Sequence, residues 1–178
     1  MTDLDVRCLD AFPKWLRTLS EDALDLALVL DDEESSEATR HAAARALNYL
    51  FKSLDLIPDG IEDLGLLDDA FVFRAAAALA GEESIGSTPI IARLAEDAAL
   101  VREFLDADYP RLEAFVRGLD DAVARGRVTR EIVGDVAVRG AFAGDVRGWA
   151  GSYVAPPFGR DVKNLVKLRA FLKTKLPA

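Results

Sequence analysis

The sequence has little of what cofactor and covalent chemistry usually require. Cys8 is the only cysteine and His41 the only histidine in 178 residues, which excludes an intramolecular disulfide and a zinc site built from several cysteines. There is no glycine-rich phosphate loop of the Walker or dinucleotide-binding type. Neither Cys8 nor any serine stands in a recognisable nucleophile motif. We expect a buried Cys8 that acts as a small hydrophobic residue and a solvent-exposed His41, and we favour a protein without enzymatic activity.

Long apolar runs and an export signal are also missing. The best candidate for a membrane span, "LGLLDDAFVFRAAAALAG", is interrupted by Asp68, Asp69 and Arg74, whereas a spanning helix needs about 18 or more apolar residues. The first residues, "MTDLDVRCLD", are acidic rather than basic and apolar. These features predict no transmembrane span and a cytoplasmic location.

Positive charge is scarce except near the C-terminal end. The net charge of −9 argues against nucleic acid as a partner, because binding to phosphate needs a positive surface. Residues 160–178 hold six basic residues and one acid, a net charge of +5. Residues 1–159 hold 16 basic and 30 acidic residues, a net charge of −14. The sequence therefore predicts an acidic body with a basic tail.

Helical periodicity is what the sequence does contain. Hydrophobic residues make up 51% of the chain, and they recur mostly at three- and four-residue spacing, which predicts a compact all-α fold in a single domain, 1–178. Two of the helices should form an antiparallel hairpin, 37–53 and 68–80, with the second buried at the centre. The expected helices are 10–19, 21–30, 37–53, 68–80, 89–106, 109–125, 129–139, 142–153 and 161–175.

The connection within this hairpin has an unusual composition. Between Leu54 and Asp69 there are seven Leu or Ile residues, six acids, two glycines and one proline. Connections between helices usually take about 2 to 8 residues, so a longer apolar one should have structure of its own. The string "IPDG" predicts a type I turn with Pro58 at its second position. Asp59 should then cap a single helical turn that ends at Gly65.

The stretch "YLFKSLDLIPDGIEDLGLLDDAFVF" resembles the signature of the YkvA-like family, a bacterial domain of unknown function. It departs from the family pattern at Leu54 and Glu62, where prolines are usual, and at Gly60, where an aromatic is common. The resemblance covers residues 42–80 and implies a helical hairpin with no established biochemical activity. The matching positions are Ser53, Asp55, Leu56, Ile57, Pro58, Asp59, Ile61, Leu64, Gly65, Leu67, Asp68 and Asp69.

The acids of the connection form a candidate metal site. Carboxylate oxygens are the ligands that Mg²⁺ and Ca²⁺ prefer. An EF-hand is excluded, because a loop that starts at the first of these acids has Ile57 at position 3 and Leu66 at position 12. The candidate ligands for a divalent cation are Asp55, Asp59, Asp63, Asp68 and Asp69.

A structural role for the same acids is the interpretation that we favour at this point. Carboxylates cap helix starts, bond loop amides or pair with basic residues, here Arg40, Arg45 or Arg74. An acid-base pair is not favoured, because Asp68 and Asp69 are neighbours on a helix and point about 100° apart. We therefore expect only one of the two to face inward.

The basic tail predicts an amphipathic helix over residues 160–176. Such a helix can pack on its own acidic body, which we favour, or dock on an acidic partner or an anionic membrane. The leading expectation for function is a non-enzymatic interaction or scaffold protein. The alternatives are a divalent-metal protein or metal-dependent enzyme that uses the acidic connection, and a peripheral membrane protein. The tail's expected apolar face is Val162, Leu165, Val166, Phe171 and Leu172, opposite Lys163, Lys167, Arg169, Lys173 and Lys175.

Overall fold

The computed structural model describes residues 1–52, 55–61, 64–83 and 88–178. Over these ranges the protein is all-α, which confirms the predicted class, and the only strands among the described residues form one short hairpin. All the helices contribute side chains to one hydrophobic core. They are α1 (Asp3–Asp31), α2 (Glu37–Tyr49), α3 (Leu67–Glu83), α4 (Pro89–Leu105), α5 (Tyr109–Arg117), α6 (Thr129–Gly134), α7 (Val136–Ser152) and α8 (Val162–Lys175), with strands β1 (Val123–Ala124) and β2 (Arg127–Val128).

Helix α1 is longer than the sequence predicts. The expected helices 10–19 and 21–30 are one continuous helix, whose buried side chains run without a break past Ser20. The helix starts instead after Thr2, whose hydroxyl accepts from the Asp5 N–H at 3.1 Å while the Asp5 carboxylate accepts from the Thr2 N–H at 2.8 Å. Ser20 followed by Glu21 and Asp22 is the local pattern of a helix start, which is why the sequence predicts a break there. Core packing overrides this signal.

Helix α3 is the central element, as its composition predicts. Phe71 and Phe73 are fully buried, and the helix packs against α1, α2, α4 and α5. Asp68 and Asp69 in its first turn are 0% and 2% exposed. The prediction that only one of them faces inward is wrong, because a helix that is covered on nearly every side has no solvent-facing side at this level.

The polar face of α2 is covered by other parts of the chain. Asn48 is buried, and its amide donates to the Thr129 hydroxyl at 3.3 Å. Arg45 forms a two-point ion pair with Asp120, at 2.7 and 2.8 Å. His41 has a side chain only 20% exposed, next to the same aspartate. The predicted solvent exposure of His41 is therefore wrong, since residues 118–129 fold over this face.

Two helices end earlier than predicted. Helix α2 ends at Tyr49 rather than at 53, and α5 ends at Arg117 rather than at 125. After α5 come a 3-10 turn and the β1–β2 hairpin, whose two loop residues, Arg125 and Gly126, have φ of 49° and 76°. A two-residue loop with positive φ at both positions is a type I′ turn, which joins antiparallel strands without splaying them. Gly126 is the only glycine of this loop, and one glycine is too weak a sequence signal to predict a hairpin.

The boundary between α6 and α7 also differs from the prediction. The break expected between helices 129–139 and 142–153 lies at Asp135, whose carboxylate accepts from the backbone N–H groups of Ala137 and Val138 at 2.9 and 3.1 Å. An aspartate with two amide bonds is a strong helix start. The helix predicted at 142 therefore begins at 136.

The C-terminal helix packs on the body of the protein, as we favoured. Leu165, Leu168 and Leu172 are buried in the common core. The predicted apolar face is only partly right, because Val166 is 59% exposed and Phe171 is half-buried. The buried stripe follows the three leucines, which leaves an outer face that is both basic and apolar.

Candidate acidic site

The acidic connection is held to α3 through one buried carboxylate. The Tyr49 hydroxyl donates to Asp68 Oδ2 at 2.6 Å and accepts from the Leu56 N–H at 2.8 Å. The Ile57 N–H donates to the same oxygen of Asp68 at 3.2 Å. Three elements therefore meet at Asp68: the end of α2, the connection and the start of α3. Bonding of loop amides, one of the structural roles expected for these acids, is confirmed for Asp68.

The connection itself forms two tight turns. The Ile61 N–H donates to the Pro58 carbonyl at 3.0 Å, so the turn starts at Pro58 rather than one residue earlier as predicted. The Gly65 N–H donates to the Ile61 carbonyl at 2.9 Å, the bond that the expected helical turn ending at Gly65 requires. Gly65 is required there, because a Cβ at this position would lie 2.3 Å from the Asp59 carbonyl oxygen.

Four of the five candidate ligands lie in the described part of the chain. Asp68 and Asp69 are buried, Asp55 is half-buried and Asp59 is exposed. Asp63 lies outside the described residues, as do Ser53, Leu54 and Glu62 of the motif. We call the four described residues the acidic cluster: Asp55, Asp59, Asp68 and Asp69.

Each member of the acidic cluster carries a carboxyl with a raised pKa. Burial and then the charges of Asp59 and Asp68 raise the pKa of Asp55 to about 7. Partial loss of hydration raises the pKa of Asp59, although its side chain is still accessible. Burial raises the pKa of Asp68 against the opposing effect of the bonds from Tyr49 and Ile57. Burial and then the charge of Asp68 raise the pKa of Asp69 well above its usual value. All six pairs within the cluster repel one another.

Three oxygens of the acidic cluster have no partner. Asp55 Oδ1, Asp68 Oδ1 and Asp69 Oδ2 are buried and accept no hydrogen bond from any described residue. Buried carboxylate oxygens are normally satisfied by donors, by a basic side chain or by a metal, because an unpaired buried charge is costly. At the same time, no three acidic or histidine side chains in the described ranges already converge on one point as ligands of a metal ion.

The arginines that the sequence suggested as partners are engaged elsewhere. Arg45 pairs with Asp120, and the Arg40 guanidinium donates to the Leu30 carbonyl at 3.2 Å. Arg74 bonds Asp97 rather than the cluster. Among the described residues no ion pair joins these three arginines to Asp55, Asp59, Asp68 or Asp69.

Arg74 is the centre of a second buried polar network, between α1, α3 and α4. Its guanidinium is fully buried and donates to Asp97 Oδ2 at 3.1 and 3.2 Å and to the Ala70 carbonyl at 3.0 Å. It lies 3.9 Å from Asp22 and stacks on the Trp15 ring. Burial lowers the pKa of Arg74 to about 10, against the opposing effect of the two aspartates.

Sequence reasoning missed Tyr49 and did not predict the partners of Arg74. Tyr49 stands among apolar residues at the end of α2, where nothing distinguishes it from a core aromatic. Arg74 did carry a signal, because it is the only charged residue in the run "AFVFRAAAALA". A single charge in a helix that is apolar all round predicts a buried ion pair.

The structure thus defines an all-α protein with a partly buried acidic cluster between two packed helices. Residues 39–74, which include this cluster, match a family model described as "Protein of unknown function (DUF1232)". No curated protein and no solved structure matches the chain. None of the helices in the described ranges combines the length and the apolarity that crossing a bilayer requires.

Replacing Tyr49 with phenylalanine is expected to loosen the connection. The Leu56 N–H would lose its acceptor and Asp68 a donor, so the free energy of unfolding should fall by about 1 to 3 kcal/mol. Urea denaturation measures this loss. Tyr153→Phe is the control, since its hydroxyl donates only to the Leu16 carbonyl and should cost about 1 kcal/mol. An equal loss in both variants would contradict the anchoring role of Tyr49.

Proposed function

We propose that the protein binds a hard divalent cation, Mg²⁺ or Ca²⁺, at the acidic cluster. The observation that carries the proposal is the set of buried carboxylate oxygens without partners, contributed by Asp55, Asp68 and Asp69. A dication would satisfy these oxygens and remove the mutual repulsion of the four carboxylates. Oxygen-only ligands are the set that both ions prefer.

Binding of one ion requires the cluster to close around it. Asp68 and Asp69 lie in the first turn of α3, whereas Asp55 and Asp59 belong to the connection. The buried Leu56 and Ile57 and the bonds at Asp68 hold the connection on the core, so the proposal requires only the side chains of Asp55 and Asp59 to turn toward Asp68 and Asp69. In this proposal the cation acts as a clamp between the connection and α3.

The proposed role of the cation is structural or regulatory rather than catalytic. Asp68 and Asp69 are at most 2% exposed, so a substrate would have to displace the connection to reach them. The resemblance of residues 42–80 to the YkvA-like family supports a functional role for this stretch. It implies no particular biochemical activity. An interaction or scaffold role, the leading expectation from the sequence, stays a prediction, as does a peripheral membrane role.

Thermal unfolding with and without cations tests the proposal. Protein treated with EDTA and returned to Mg²⁺ or Ca²⁺ at pH 8 should unfold at a higher temperature. A ligand at 100 times its Kd adds about 2.7 kcal/mol, which corresponds to about 5 to 10 °C for a chain of this size. Absence of a shift with either ion would refute the proposal.

Single substitutions test whether the cation binds at the acidic cluster. Asp69→Asn should abolish the cation-dependent shift, although the variant itself should be at least as stable as the parent because one repulsive charge is gone. Asp106→Asn, at an exposed position outside the cluster, is the matched control and should keep the full shift. A shift that persists in Asp69→Asn would show that the ion binds elsewhere.

A further inference from the structure

Helix α8 presents a basic and apolar outer face. Lys163 and Lys167 are exposed one turn apart, and Val166 and Ala170 form a parallel exposed row beside them. Next to these rows lies a shallow groove of about 320 Å³, lined by Lys167, Ala170, Phe171, Thr174 and Lys175. The helix contains no acidic residue after its cap, Asp161. The face therefore suits an acidic surface with apolar residues at the same spacing.

Helix α1 presents such a surface. Glu21 and Asp25 are exposed one turn apart, and Leu24 and Leu28 form the neighbouring row, 38% and 70% exposed. No ion pair between described residues engages Glu21, Asp25, Lys163 or Lys167. The two helices thus expose the same pattern with opposite charge, which is more specific than charge alone.

The order of the rows fixes the orientation in which the two faces match. On both helices the apolar row lies three residues after the charged row, so it is offset to the same side. Two such faces match in the antiparallel orientation, which sets acids against lysines and leucines against Val166 and Ala170. In the parallel orientation each charged row would meet an apolar row. Residues spaced four apart along a helix, as in each of these rows, also form the ridges by which helices commonly pack.

The two faces are well separated on one molecule. The start of the C-terminal segment contacts the first half of α1, where Arg160 pairs with Asp10. Glu21 lies 11 residues further along the helix, about 16 Å away at 1.5 Å per residue. One copy can therefore not fold its own α8 face onto its own acidic row, while both faces are accessible to other copies.

We propose that this protein self-associates through the α8 face of one copy and the Glu21–Leu28 face of α1 of a second copy. The contact uses one face of each helix, which is smaller than the interfaces of stable dimers. Association is therefore weak, depends on concentration and weakens with added salt, because exposed charge pairs are screened. It is independent of the acidic cluster and of any cation bound there.

Charge-reversal variants test the α8 face and the α1 face separately. The first double variant, Lys163→Glu with Lys167→Glu, has an acidic α8 face and an acidic α1 face. The second double variant, Glu21→Lys with Asp25→Lys, has two basic faces. Each variant alone should self-associate about tenfold more weakly or worse, because attractive pairs become repulsive. An equimolar mixture should associate again, since every contact between the two variants pairs opposite charges. Arg147→Glu, an exposed reversal on α7, should behave like the parent.

Sedimentation velocity over a wide range of concentrations reads out every arm of this experiment. Recovery in the mixture shows that both variants are folded and that the two faces meet. A parent protein that stays monomeric at all concentrations overturns the proposal, as does a mixture that stays monomeric. Monomeric parent protein that binds phosphatidylserine vesicles, with binding lost in the lysine-reversed variant, also overturns it and assigns the α8 face to a membrane.

Discussion

Replacement of Arg74 with methionine is expected to lower the free energy of unfolding by about 3 to 5 kcal/mol, the cost of removing one partner from a buried ion pair. Methionine fills much of the space of the arginine stem, so the loss reports mainly on charge. Asp97 would lose the guanidinium that donates to it, whereas Asp22, which is 2% exposed, keeps its ion pair with Arg93 at 2.5 Å. Urea denaturation, with the m-value checked for two-state behaviour, measures the change.

The matched control is an arginine with a similar pairing at the surface. Arg7 donates to both oxygens of Glu103 at 2.8 Å, but the two side chains are 43% and 50% exposed. Arg7→Met should therefore leave the free energy of unfolding nearly unchanged. If Arg74→Met were equally mild, the network would not stabilise the fold. Adding Asp97→Asn to Arg74→Met should recover part of the loss, because one uncompensated charge disappears.

Replacement of Gly65 with alanine should have the second largest effect. The new methyl group would lie 2.3 Å from the Asp59 carbonyl oxygen and 2.9 Å from the carbonyl carbon. Because both atoms belong to the backbone, the connection has to move as a unit. We expect a loss of about 3 kcal/mol, the upper end of what overpacking costs. Displacement of Asp59 should also reduce the cation-dependent shift in unfolding temperature.

Gly60→Ala is the control within the same connection. A Cβ at Gly60 would meet no atom within 4 Å, and its φ is not positive. Alanine there should be neutral or stabilising by up to about 1 kcal/mol, since it restricts the unfolded chain. Thermal and urea unfolding of both variants checks the pair. Equal stability of the two alanine variants would mean that the close approach of Gly65 to Asp59 is not a constraint.

Much of the fold is readable from local patterns. The start of α4 at Pro89, the start of α8 after Asp161 and the central burial of α3 all follow from capping residues and apolar periodicity. The errors occur where tertiary packing competes with a local signal. Ser20 is an adequate helix cap in isolation, but the core runs past it. The loop of the β1–β2 hairpin depends on an arginine with positive φ, which no propensity predicts.

The candidate site divides in the same way. Asp55, Asp59, Asp68 and Asp69 were candidates from their spacing and from the motif, because acids in an apolar loop are conspicuous. Their neighbours were not predictable. Tyr49 bonds Asp68, and Arg74 bonds Asp97, only because α2, α3 and α4 meet in one arrangement.

Composition and periodicity alone therefore establish an all-α protein with an acidic body, a basic last helix and a concentration of acids between two helices. These properties depend on residues close together in the chain. Contacts between residues far apart in the sequence decide which carboxylate oxygens have no hydrogen-bond partner. They also decide which faces of α1 and α8 stay exposed. Hydrogen bonding and burial in the folded chain decide such contacts, since each polar group there must find a partner within about 3 Å or remain unsatisfied.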